Sequence, residues 1–89
     1  MIKKQITIIN KLGLHARAAA KLVSLASRYA CSIELIKNGR SVNGKSIMGV
    51  MMLAANQGTE LELVIEGEDE TDACTALENL INDRFGEEA

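Results

Sequence analysis

Eighty-nine residues, 47% hydrophobic and 25% charged, fit one globular domain over residues 1–89 with a small core, because a chain this short buries only roughly 60% of its unfolded surface. A net charge of −2 and just two aromatic side chains, Tyr29 and Phe85, exclude a phosphate-backbone binder and a base-stacking platform, so no nucleic acid partner is expected. No apolar run nears the roughly 20 residues of a membrane span, and Met1-Ile2-Lys3-Lys4-Gln5 enters a strand pattern rather than a signal peptide, so a cytoplasmic protein without membrane insertion is expected.

Residues 2–9 alternate around Ile6 and Ile8 as a half-buried strand does. Asn10-Lys11-Leu12-Gly13-Leu14 breaks that pattern, and from Ala16 the period becomes helical. Ala19, Leu22, Val23, Ala26 and Ala30 share one apolar face, while Arg17, Lys21, Ser24 and Arg28 form a basic stripe on the other. The helix is expected to end near Arg28.

The only histidine, His15, stands at the opening of this helix. Unpaired N–H groups and a partial positive charge make such a place an anion site. The helix end disfavours the imidazolium, so a ring there stays nucleophilic. A phosphoryl group carried by the ring would meet donors that already point at it, the N–H groups of Ala16 and Arg17. The Arg17 guanidinium adds a charged, forked donor two residues on. A P–N bond is labile, which suits a relay. Taken by itself, a lone histidine at a helix start is more often a surface residue or an indifferent cap than a functional group. A metal site is not expected, since Cys31 and Cys74 form no CxxC pair and no second histidine exists; the thiols are read as reduced and structurally minor.

Residues 32–37 alternate through Ile33 and Leu35, and Asn38-Gly39 is a strong hairpin signal that leads into a short edge strand at 40–43. Ser46 is a natural N-cap for a short helix through Leu53. Ile47, Val50, Met51 and Ala54 make one apolar stripe, with Met48 and Met52 off it. Flexible methionines suit an adaptable binding surface, although core packing is the commoner explanation of such a cluster. Leu61, Leu63 and Ile65 mark a fourth strand. The acidic run 66–72 offers Asp69 as N-cap of a last helix carrying Ala73, Leu77, Leu80, Ile81 and Arg84, and residues 86–89 read as a frayed tail. The order is βαββαβα, an α+β fold in two layers. A four-stranded antiparallel sheet is covered on one face by three helices, with strand 4 between strands 1 and 2.

Gly13-Leu14-His15-Ala16-Arg17, joined to Asn43-Gly44-Lys45-Ser46-Ile47-Met48-Gly49-Val50-Met51, resembles the HPr family, the histidine-containing phosphocarriers of the bacterial phosphoenolpyruvate:sugar phosphotransferase system. The similarity extends over essentially the whole chain, including Asn38-Gly39 and Gly67 before the acidic helix start. It implies an open-faced sandwich and a carrier rather than an enzyme, without cofactor or metal. Enzyme I would phosphorylate His15 on Nδ1, and an enzyme IIA component would take the group. Arg17 matches the arginine beside the active histidine, and Ser46 matches the serine that an HPr kinase/phosphorylase modifies. Ala20, Ile47, Met48, Met51 and Met52 would form the partner surface of a monomer. A phosphate on Ser46 would add about −1.5 to −2 charges and oppose docking of an acidic partner. One departure is Ala18, where the family commonly has proline; alanine there costs roughly 0.4–1 kcal/mol through a freer unfolded chain. The lead-in at 10–13 resembles the nitrogen-branch carriers, which leaves both branches open.

Overall fold

The computed structural model describes residues 1–89. Strand β1 (Ile2–Thr7) is followed by helix α1 (Ala16–Ala26), strands β2 (Ser32–Lys37) and β3 (Arg40–Asn43), helix α2 (Ile47–Met52), strand β4 (Glu60–Glu66) and helix α3 (Glu70–Asn82). A 3-10 turn at Arg84–Gly86 follows. The sheet is antiparallel throughout in the order β1-β4-β2-β3, so the last strand fills the gap that the α1 crossover leaves between β1 and β2.

Register follows from burial. Ile6 lies opposite Leu61, Leu35 opposite Leu63 and Ile33 opposite Ile65, which sets these six aliphatics on the helix-covered face. Ala18, Ala19, Leu22 and Ala26 from α1 and Ala73, Leu77 and Ile81 from α3 close over them. Small alanines let α1 approach closely, and the core is aliphatic apart from Phe85 and the two thiols, Cys31 and Cys74. Asn38 (φ 50°) and Gly39 (φ 81°) turn β2 into β3, both with the positive φ that matches the right-handed strand twist.

Several boundaries differ from the pattern. β1 ends at Thr7, because Ile8, though buried, exchanges backbone bonds with the loop at Gly58 and Thr59 rather than with β4. α1 stops at Ala26, two residues early, as Arg28 and Tyr29 donate to carbonyls three residues back and tighten the last turn. Ala30 consequently leaves the apolar face and is exposed. Asp69 begins α3 without capping it. Its carboxylate accepts instead from the backbone N–H groups of Ala30 (2.8 Å) and Cys31 (3.0 Å), tying the α1–β2 loop to α3. The Ala30 bond, more than any other contact, holds the Asp69 carboxyl below its ordinary value. Arg84 lies beyond α3, not on it. Arg84, Phe85 and Gly86 all have positive φ and reverse the chain.

Cys31 and Cys74 are buried and free, and burial pushes both thiols up, with Asp69 beside Cys31 and Glu78 beside Cys74 adding to the effect. No helix is long and apolar enough to cross a membrane.

Candidate functional site

The loop before α1 aims the site. Asn10 accepts at its carbonyl from the Gly13 N–H (3.2 Å), and its buried Nδ2 donates to the Gly13 carbonyl (2.9 Å), which closes a tight turn. Gly13 has φ +68°, and a Cβ there would lie 2.5 Å from the Ala55 carbonyl oxygen and 2.8 Å from Asn56 Cα. Only glycine lets this loop sit against residues 55–56, where the Leu14 N–H also donates to Ala55 (2.8 Å).

His15 is thereby presented as the N-cap of α1, extended at φ −75° and ψ 179°. Its carbonyl accepts the first intrahelical bond, from Ala19 (2.8 Å), so the N–H groups of Ala16, Arg17 and Ala18 have no partner within the helix. Its side chain makes no capping bond; the imidazole is 29% exposed. Ala16 and Arg17 are exposed on the same first turn, and both line a groove with His15 and Lys11. Ala18 is fully buried and precedes Ala19, so a proline at this position would forfeit no helical bond.

The tail corrects the expectation of fraying. Phe85 is fully buried, and its carbonyl accepts from Lys21 Nζ (2.6 Å). The chain then turns back over the opening of α1, where the Lys11 N–H donates to the Ala89 carbonyl (3.0 Å). Between these anchors, Glu87 Oε1 accepts from Asn10 Nδ2 (2.9 Å) and Glu87 Oε2 meets His15 Nε2. The bond from Asn10, followed by that from His15, holds the Glu87 carboxyl below the usual carboxylate range. Neither Asn10 nor Glu87 is among the sequence-based candidates. The Asn-x-x-Gly turn pattern could have flagged Asn10; the lone phenylalanine past α3 was the one hint that the tail is anchored.

The other candidates lie apart from the His15 groove. Ala20 is exposed and shares a second concavity with Arg17, Lys21, Ser24 and Arg28, the basic stripe of α1. Ser46 caps α2, its Oγ accepting from the Gly49 N–H at 3.2 Å. Of α2 only Val50 is buried. Ile47 (40%), Met48 (68%), Met51 (41%) and Met52 (56%) are exposed, so the stripe through Ile47 and Met51 is not a covered one. α2 packs on α1, so this apolar patch and the basic stripe belong to neighbouring helices. No three His, Cys, Asp or Glu side chains converge as a metal site would require.

Residues 2–83 match the family described as "PTS HPr component phosphorylation site". Phosphocarrier protein HPr of Pseudomonas aeruginosa is 62% identical over 84 residues, 93% of each chain. The crystal structure of HPr-C-His from Thermoanaerobacter tengcongensis superposes with a TM-score of 0.97 at 47% identity over all of both chains. A second structure from that organism, described as an HPr dimer, aligns with a TM-score of 0.79 at 47% identity over 98% of this chain and all of that one.

Proposed function

This chain belongs to the HPr family, phosphoryl carriers of the phosphotransferase system rather than catalytic enzymes, and on that premise we propose that His15 accepts a phosphoryl group from phospho-enzyme I and yields it to an enzyme IIA component. The observation that carries this reading is the imidazole at the mouth of α1, beside N–H groups with no helical partner. An anion transferred to the ring enters a spot where donors already point, so little reorganisation opposes its arrival. The Ala16 and Arg17 amides hold the phosphoryl oxygens, and the Arg17 guanidinium supplies the charged donor. The same groups then stabilise the anion only until a partner takes it, as a relay requires.

The basic stripe of Arg17, Lys21 and Arg28 and the apolar patch of Ile47, Met48, Met51 and Met52 form, with Ala20, the docking surface for both partners in turn. Ser46 is the regulatory site of an HPr kinase/phosphorylase, supported by its hydroxyl at the cap of the helix that bears the patch. The carrier works in the cytoplasm as a one-domain monomer, since it must engage two partners through one face. Its acceptor is an enzyme IIA component of the sugar or the nitrogen branch.

Intact mass tests the reading. Incubation with phosphoenolpyruvate and enzyme I should add one phosphoryl group that is lost in acid and absent from His15→Ala. No addition to the wild type, or addition to the variant, refutes it.

A further inference from the structure

We propose that Glu87 is a positioning residue for His15, its carboxylate keeping the ring proton on Nε2 so that the lone pair of Nδ1 faces the incoming phosphorus. The inference rests on the phosphoryl-carrier reading of His15. An ionised carboxylate can only accept a hydrogen bond, so the ring nitrogen it meets must carry the proton. In the neutral imidazole that leaves Nδ1 bare.

Glu87 is itself fixed. Its second oxygen accepts from Asn10 Nδ2 (2.9 Å), and the same buried amide nitrogen donates to the Gly13 carbonyl (2.9 Å). One NH2 group therefore spans the turn that delivers His15 and the carboxylate behind its ring. The backbone on either side is anchored too, through Lys21 to the Phe85 carbonyl and through Lys11 to Ala89. A side chain on a loose tail could not orient a ring; one held at three points can. The bonds from Asn10 and His15 also keep Glu87 ionised at neutral pH.

The transfer step uses that charge. The Nδ1 lone pair attacks phosphorus, and the bond from phosphorus to the donor breaks with its electron pair leaving on the donor. The ring keeps its Nε2 proton and becomes cationic, and the adjacent carboxylate balances the charge as it develops. On delivery the P–Nδ1 bond breaks, its pair returns to Nδ1 and the ring is neutral again. Glu87 accepts a hydrogen bond throughout and takes no proton. The other charged groups facing this site are Lys11 from the lead-in loop, Arg17 and Lys21 from α1 and Glu88 from the tail.

The test measures phosphoryl uptake against pH, with enzyme I and phosphoenolpyruvate, for the wild type and Glu87→Gln, which keeps the shape and an acceptor but not the charge. The plateau rate should fall by roughly tenfold or more, as when the carboxylate behind a catalytic imidazole is replaced by an amide. An unchanged plateau rate overturns the positioning role. In unphosphorylated protein, the Nε2 proton should give a slowly exchanging NMR signal that Glu87→Ala loses; its persistence in the variant overturns the contact. A wild type that takes up no phosphoryl group would sink the carrier reading and the positioning role with it, while the ring-proton signal still judges the contact.

Discussion

Asn10 is the one polar side chain counted among the buried residues, and its amide nitrogen serves two carbonyl-type acceptors 74 residues apart in sequence, Gly13 and Glu87. Its Oδ1 has no partner, so its burial is already costly and only the two bonds offset that cost. Replacing it with alanine leaves the buried Gly13 carbonyl unpaired and frees Glu87. Urea unfolding of Asn10→Ala should show a loss of about 1–3 kcal/mol. A change within about 0.5 kcal/mol, as for an ordinary surface substitution, would contradict this role. At this scale the placement of His15 was legible, because a glycine turn followed by a helical period sets the imidazole at a helix opening. Ala16 and Arg17 follow from the same helix geometry. Glu87 was illegible, since its contact with Asn10 spans 77 residues and no local pattern reports a pairing between a loop and a tail.

The helices and strands were legible where burial imposes a period. Leu61, Leu63 and Ile65 alternate because one face of β4 is covered, and α1 shows its stripe because it lies on the sheet. Where hydrogen bonds rather than burial decide, the pattern misled. Asp69 has the residue type of an N-cap, yet its carboxylate serves two N–H groups of another loop. Helix α2, six residues long with only Val50 buried, is too short for periodicity to separate a core stripe from an exposed patch. Its cap does follow the rule, and that makes Ser46 testable. Aspartate caps a helix about as well as serine, so Ser46→Asp should keep its thermal midpoint. The added charge beside Met48 and Met52 should slow phosphoryl uptake from enzyme I. Equal uptake rates would remove the regulatory role, and a collapsed midpoint would show that the cap itself was lost.

Across the whole molecule, a sheet in the order β1-β4-β2-β3 carries its helices on one face, with Ala16 and Arg17 exposed at the opening end of α1. That end is where the lead-in loop, the first turn of α1 and the returning tail meet. The layer order was legible from βαββαβα alone, because a crossover helix between the first two strands leaves a gap that the last strand can fill. The return of the tail was not, because it depends on three consecutive positive φ values at Arg84, Phe85 and Gly86, only one of them glycine. Buried Phe85 supplies the anchor that a backbone in this uncommon conformation needs. A nucleophilic ring at the amide-rich mouth of α1 and a carboxylate that selects its nitrogen together single out one atom, Nδ1 of His15. Phosphorus–nitrogen NMR of the phosphorylated, 15N-labelled protein reads that atom directly. Phosphorus should couple to Nδ1 of His15, with Nε2 still bearing its proton; coupling to Nε2, or phosphorus on any other side chain, overturns this assignment.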